Sequence, residues 1–417
     1  MRFVFLTQYF PPETGAPPAR LGAMVAELVA LGHDVEVVTG VPNYPTGSVF
    51  AGYGGRLYQR DTWAGATVHR VWLYAAAGSG VKRALNYLSF TATCMVGLVR
   101  TRPADWLFVE SPPLPVIVPA VVFARWRRTA VVLNVADLWP DSMVHLDISL
   151  PNWVLRSLEA LERWAYRRAD VVTAITEGVR DRLIAKGVPE AKLAFLPNGV
   201  DTRLFSPAEP DDALLRELGL EGRQVVLYAG THGYAHGVDV VLRAAELLAG
   251  NDIVFLLVGD GSEKPMLQAR ARELGLDNVV FCPPVALEEV ARLLSIAAVA
   301  LATVRGGELF QATRSAKVLP AMAAGRPVVY SGDGEGGRIV RDTDAGLVTP
   351  SGDANALAAA IARICGDGAL AAELGGNGRA HAEGHAGWER LIRQWLEQLP
   401  TGRARSGSST TPGDIST

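Results

Sequence analysis

The sequence predicts an α/β fold in which two doubly wound parallel sheets follow one another along the chain. Three observations carry this expectation. Short runs rich in β-branched residues alternate with segments of helical period; the runs are apolar throughout, as strands covered on both faces require; and the alternation stops at a polar, acidic stretch near 206–222 and then begins again. The length agrees: 417 residues, 49% hydrophobic and 20% charged, are enough for two cores and too many for one ordinary domain.

In the first half the strand-like runs are "RFVFLT" (2–7), "DVEVVT" (34–39), "ATVHRVW" (66–72), "ADWLFVE" (104–110), "TAVVLNVAD" (129–137), "ADVVTAIT" (169–176) and "AKLAFLP" (191–197). Helix-period segments at 19–31, 113–127, 153–168 and 178–187 lie between them. The second half restarts with "RQVVLYAG" (223–230), "DIVFLLVGDG" (252–261), "NVVFC" (278–282), "AVALAT" (298–303), "RPVVYSG" (326–332) and "AGLVTP" (345–350). The expected organisation is an N-terminal domain over 1–203, a C-terminal domain over 204–384, a helix over 385–399 packing back on the N-terminal domain, and a tail over 400–417. That tail, ending "TGRARSGSSTTPGDIST", is of low complexity and is expected to be disordered.

Composition narrows the function. A net charge of −3 argues against a general nucleic-acid binder, so any anion must be met by a local cluster. The three cysteines, Cys94, Cys282 and Cys365, are scattered and odd in number, which suits neither a disulfide framework nor a zinc site and fits a reducing, cytoplasmic location. The short apolar run at the N-terminus is broken by Pro11-Pro12, unlike a cleaved signal, and no apolar stretch reaches bilayer-spanning length.

Ligands of doubly wound sheets bind beyond the carboxyl ends of the strands, which directs attention to the loops after Thr7, Gly230, Gly259 and Thr303. "YAGTHGYAHGVDVV" places Gly230, Gly233 and Gly237 just before a helix expected near Val238. Glycine lets main-chain amides approach a phosphate, and His232 and His236 would add donors; the alternative is a tight turn with surface histidines. "VGDGSEK" puts Gly259, Asp260 and Gly261 at the same edge, where main chain could touch a nucleotide. Arg314, Ser315 and Lys317 precede "VLPAMAAGRPVV", and two cations converging on a glycine loop suit a diphosphate, although either charge alone would pass for a solvated one.

In the first half, "YFPPETGAPPAR" is a stiff loop whose Gly15 can bring amides near a substrate. Arg20, one turn into the helix, is either a phosphate ligand or a solvated side chain. "NVADLWPDS" sets Asp137 and Asp141 beyond a buried strand with Trp139 between them; carboxylates there can orient ligand hydroxyls, and the indole can pack on a ligand face or stay in the core. Two segments, 81–102 and 114–128, are apolar almost all round and end in basic residues. Such helices are buried in core or lie against lipid, and the repeated pattern favours peripheral contact with the inner face of the cytoplasmic membrane.

Taken in order, "LGHDVEVVTG", "LAFLPNGVDTRLFSP", "VLYAGTHGYAHGVDVVLRAAELL", the long segment from "FLLVGDG" to "AVALAT", and "SAKVLPAMAAGRPVVYSGDGEGG" resemble retaining glycosyltransferase family 4 over roughly residues 1–398. "QYFPPETGAPPARL" and "DLWPDS" resemble the subgroup of N-acetylfucosamine and colanic-acid transferases. The resemblance implies a GT-B fold of two Rossmann-like domains facing across a cleft. It also implies a nucleotide-sugar donor, expected to be a UDP-sugar, in the second domain, and a lipid-linked sugar or glycan acceptor in the first. The expected context is surface polysaccharide assembly, with no metal or other cofactor.

Residue by residue, the resemblance sets Gly230, Thr231, His232 and Gly233 against the diphosphate. His236 stands where many relatives have a lysine, and Lys317 fits the lysine of the subgroup's "SK" pair. Many relatives also have two glutamates eight positions apart; here those positions are Ala312 and Pro320, leaving Glu308 and Glu335 as carboxylates to approach the vacated space. Proline offers no side-chain acceptor, so ribose recognition must differ. The expected chemistry is front-face transfer, with Arg314 and Lys317 stabilising the leaving group and Asp137 orienting or deprotonating the acceptor hydroxyl. Two alternatives stand beside it: a GT-B nucleotide-sugar epimerase, and a non-catalytic nucleotide-sugar-binding partner of a transferase, suggested by Ala312 and Pro320.

Overall fold

The computed structural model describes residues 1–400 apart from 45, 77, 79, 142–150 and 308–314. The first sheet is built from β1 (Arg2–Leu6), β2 (Asp34–Gly40), β3 (Tyr58–Trp63), β4 (Ala66–Val71), β5 (Trp106–Ser111), β6 (Ala130–Val135), β7 (Val171–Ala174) and β8 (Leu193–Phe195). Its order is β3-β4-β2-β1-β5-β6-β7-β8, parallel everywhere except at the β3–β4 edge. The second sheet contains β9 (Gln224–Ala229), β10 (Ile253–Val258), β11 (Val279–Cys282), β12 (Ala297–Thr303), β13 (Val328–Ser331) and β14 (Gly346–Thr349) in the order β11-β10-β9-β12-β13-β14, all parallel. Both expected doubly wound sheets are therefore present. The antiparallel edge strand is an addition: "YQRDTW" is polar and mostly exposed, so it lacks the apolar run that betrays the other strands.

The unbroken hydrophobicity of the strands has a direct structural reason. On β1, Val4 and Leu6 enter one core while Phe3 and Phe5 enter another on the opposite face, and the second sheet divides its strands in the same manner. Helices supply the other half of each core. The helix Ala16–Ala30 starts with prolines in its first turn, where the missing amide costs nothing, and stops before Gly32 at φ 82°. Thr176, Asp211, Asp353 and Asp367 cap later helices by accepting from a main-chain amide three residues on.

Each sheet reverses its winding once, beside its first strand. In the first sheet the reversal lies between β1 and β5; in the second it lies between β9 and β12. The loops leaving those strands diverge to opposite faces and open a crevice there. Those crevices hold the candidate residues.

The chain returns to its first unit at the end. Val200 forms an isolated parallel bridge with Gly387, and the helix Trp388–Gln398 then packs with the N-terminal strands. Trp395 is fully buried there, its ring 6.0 Å from Phe3 and 5.8 Å from Phe108, while its indole N–H donates to Thr173 Oγ1 at 3.3 Å. Gln398 ties the helix to β8 with bonds to both the amide and the carbonyl of Phe195. Removing a buried indole leaves a large cavity, so Trp395→Ala is expected to lower unfolding free energy by ~3–5 kcal/mol, measured by denaturant titration.

Candidate active site

The centre of the site in the second unit is the meeting of β9 with the segment before the helix Val318–Ala323. Gly230 follows β9 with φ 153°, and a Cβ built on it would run into Cε of Lys317. Only glycine admits the lysine chain at this point. Lys317 Nζ lies 4.8 Å from the ring centroid of Tyr228, whose hydroxyl donates to the carbonyl of Thr231 at 2.7 Å. Desolvation lowers the Lys317 pKa to about 8, and among the described residues no carboxylate pairs with it.

Two histidines surround this cation. His232 is buried against Tyr228 and Phe281, at ring distances of 5.5 Å and 6.2 Å, and neither ring nitrogen has a hydrogen-bond partner among the described residues. Burial first, then the charges of Lys264 and Lys317, press its pKa down to about 4. His236 is pressed to about 3 by burial, Lys317 and His232, and its Nδ1 is likewise without a partner. Both rings are neutral at pH 7 and hold unused polar atoms. The surface-histidine alternative is thus corrected for His232: the loop turns inward because its main chain is pinned, amide to Asp260 O at 2.8 Å and carbonyl from Glu263 N at 2.9 Å.

The second glycine turn is stacked on the first. A Cβ at Gly259 would meet the carbonyl of Gly230, and one at Gly261 the carbonyl of His232. The Asp260 carboxylate folds back to accept from the Gly261 amide at 2.8 Å. Lys264 holds the turn from below, donating to the carbonyls of Gly259 and Cys282 at 2.6 Å and 2.8 Å. Thr231 is exposed, Gly233 starts a short 3-10 turn at Tyr234–His236, and the helix begins at Asp239 after Gly237 at φ 56°. Ser315 is buried with its Oγ unpartnered among the described residues.

Other sequence candidates fall into place around this centre. Pro320 is inside the helix Val318–Ala323, and Glu335 is the buried first residue of the helix Glu335–Asp342. Arg314, Glu308 and Ala312 lie outside the described residues. Sequence reading overlooked Tyr228, Lys264 and Arg305. The first passes for a core residue of a strand; the other two only acquire roles through carbonyls and carboxylates brought close by folding. Arg305, just after β12, donates to Tyr234 O at 2.8 Å, stacks 4.2 Å from that ring, and is neutralised by Asp239 and Glu263 at 3.3 Å and 3.5 Å.

In the first unit the structure separates the candidates. Gly15 has φ 129°, and a Cβ there would approach Tyr44 Cε1 at 3.1 Å. Arg20 is not a solvated side chain: it is paired with the buried Glu110 of β5, which also accepts from Asn134 Nδ2 at 2.8 Å. Asp141 is engaged by Lys186 at 2.9 Å, a lysine shared with Glu162 at 2.8 Å. Asp137 remains exposed past β6, with its carbonyl accepting from the Trp139 amide at 3.1 Å, and Trp139 stands edge-on to Tyr87 at 5.7 Å. Sequence reading also missed Glu13, buried and accepting from the amides of Phe10, Asn43 and Tyr44; desolvation lifts its pKa to about 7. Among the described residues no three His, Cys, Asp or Glu side chains are grouped to hold a metal ion.

Comparison with known proteins defines the class. The sucrose-phosphate synthase of Thermosynechococcus elongatus superposes with a TM-score of 0.74 at 19% identity, covering 95% of this chain and 97% of its own. Anabaena HepE, solved with UDP-glucose, superposes with a TM-score of 0.68 at 18% identity over 95% of this chain and 98% of its own. The fold is GT-B. Residues 15–199 match the glycosyl transferase 4-like domain and residues 223–367 the glycosyl transferases group 1 family. The putative colanic acid biosynthesis glycosyl transferase WcaI of Escherichia coli is 30% identical over 302 residues, 70% of this chain and 74% of that protein. A GDP-mannose-dependent phosphatidylinositol monomannoside mannosyltransferase of Mycolicibacterium smegmatis is 32% identical over 257 residues, 59% of this chain and 67% of its own. The chain belongs to this family of GT-B glycosyltransferases, and its activity is sugar transfer.

Because burial alone depresses Lys317, its ammonium is expected to titrate near 8 in the unliganded protein, well below an ordinary lysine. NMR of reductively methylated lysines, with Lys317→Arg to assign the signal, reads this directly; a value above 10 would contradict it.

Proposed function

We propose that this glycosyltransferase takes its sugar from a nucleotide diphosphate donor, a UDP-sugar, and passes it with retention to a lipid-linked or glycan acceptor in surface polysaccharide assembly. One observation carries the donor half. Among the described residues, a cation without an acid partner lies against a glycine loop, beside buried ring nitrogens of His232 and a buried Ser315 hydroxyl that have no hydrogen-bond partner. Unmet polar groups of this kind in a dry pocket are costly, and a bound diphosphate would satisfy several together.

The chemistry follows from charge. Breaking the bond between sugar and diphosphate leaves negative charge on the phosphate oxygens, and Lys317 is the cation assigned to receive it. Asp137, exposed beyond β6, is assigned the acceptor hydroxyl. Uridine is favoured by the likeness to HepE, whereas the mycobacterial relative uses GDP-mannose. Calorimetry with UDP and GDP decides: UDP is expected to bind more tightly, and absence of binding by either would end the donor assignment. Lys317→Ala is expected to lower turnover ~100-fold while His33→Ala leaves it unchanged. Equal effects would remove Lys317 from the site.

The acceptor half is supported by a surface. No described helix is long and apolar enough to cross a membrane. Yet Val81, Leu85, Leu88 and Val99 lie exposed along the helix Val81–Leu98 and its end, and Val118, Val122 and Trp126 along the adjoining Ile117–Arg127. Neither helix contains an acidic residue, while Lys82, Arg100, Arg125, Arg127 and Arg128 border them. Apolar ridges edged by cations suit the interface of an anionic leaflet. Co-sedimentation with phosphatidylglycerol vesicles is expected, and Leu88→Glu with Val122→Glu should abolish it without altering nucleotide binding.

A further inference from the structure

Beyond the donor cradle, another cation lies in the first unit without a carboxylate partner among the described residues. Arg83 is half-buried in the opening turn of the helix Val81–Leu98. Its guanidinium carbon lies 5.5 Å from the ring of Tyr9 and 5.0 Å from that of Tyr87, and its Nε donates to the Tyr87 hydroxyl at 3.0 Å. No carboxylate pairs with it among the described residues, and its two terminal nitrogens keep their donors. The tyrosine walls fix the fork without neutralising it, because burial holds the Tyr9 phenol well above its ordinary pKa. Glu13, whose charge reaches Tyr9, is already consumed by three main-chain amides.

The surroundings indicate what the fork is for. Tyr9 follows β1 at the crevice of the first sheet, beside Gln8, a fully buried residue whose Oε1 has no partner among the described residues. Tyr87 is also the ring that Trp139 meets edge-on, two residues from Asp137. On the same helix, Val81, Leu85 and Leu88 form the exposed apolar ridge. An anion on Arg83 would thus lie between apolar surface suited to a lipid chain and the loop assigned the acceptor hydroxyl, with an unused acceptor at Gln8 for a hydroxyl.

We propose that Arg83, held between Tyr9 and Tyr87, binds the phosphate or diphosphate of a lipid-linked acceptor. This rests on the glycosyl-transfer reading above and adds the acceptor's chemical class and the residue that recognises it. The shared chemistry is a phosphate ester anion, which a free phosphate could also supply.

The test measures binding to the full chain by tryptophan fluorescence, with UDP or GDP saturating the donor cradle. The probes are farnesyl diphosphate, inorganic pyrophosphate and farnesol. Farnesyl diphosphate is expected to bind, Arg83→Ala and Arg83→Gln to weaken it about 10- to 100-fold, and Arg83→Lys to keep part. Pyrophosphate binding as tightly, with the same dependence on Arg83, would assign the site to a free anion rather than a lipid headgroup. Farnesol binding as tightly as the diphosphate, or Arg83→Gln binding like wild type while melting normally, would overturn the proposal. Failure of both nucleotides to bind condemns the donor assignment instead, and the Arg83 dependence, measured again with nucleotide omitted, then decides the proposal by itself.

Discussion

A buried positive charge with no carboxylate beside it among the described residues is a standing electrostatic demand, and Lys317 makes that demand at the mouth of the second sheet. Its position depends on Gly230, because any side chain there would occupy the path of the lysine stem. The lysine, in turn, helps keep both histidines neutral. Three residues of one loop are therefore set by a single ammonium brought in from another segment.

Several other cations in the molecule are held differently. Arg20 has Glu110, Lys186 has Asp141 and Glu162, Arg305 has Asp239 and Glu263, and each of these cations is a fastener between elements. Lys317 and Arg83 stand apart because tyrosine faces, which leave the charge intact, take the place of carboxylates. Both lie near the reversal point of their sheet, where parallel topology opens a crevice. Fold and electrostatics thus select the same two places.

Much of the fold could be read from residues because every inner strand is buried on both faces, so apolar runs such as "DIVFLLV" announce themselves. The edge strand Tyr58–Trp63 could not, since its polar residues face solvent. The glycine loop, Lys317 and the family were legible in ordered motifs. Pairings across long sequence separations were not: nothing local in Arg20 predicts Glu110, and nothing in "THGYAH" distinguishes an inward histidine from an outward one. Arg83 was hidden differently, inside a segment whose apolar character drew attention to lipid, and its tyrosine partners come from two different elements.

The terminal helix has a consequence for how the protein can be divided. Since Trp388–Gln398 belongs to the core formed by Phe3, Phe108 and Thr173, the first folding unit is discontinuous in sequence and the second is threaded through it as an insertion. A clean cut near residue 204 would strip the first unit of its last buried tryptophan and leave the second carrying an orphaned greasy helix. Chimeras that exchange donor halves between relatives must therefore be spliced at two junctions, near Val200 and near Gly387, where the two strands of chain already lie side by side.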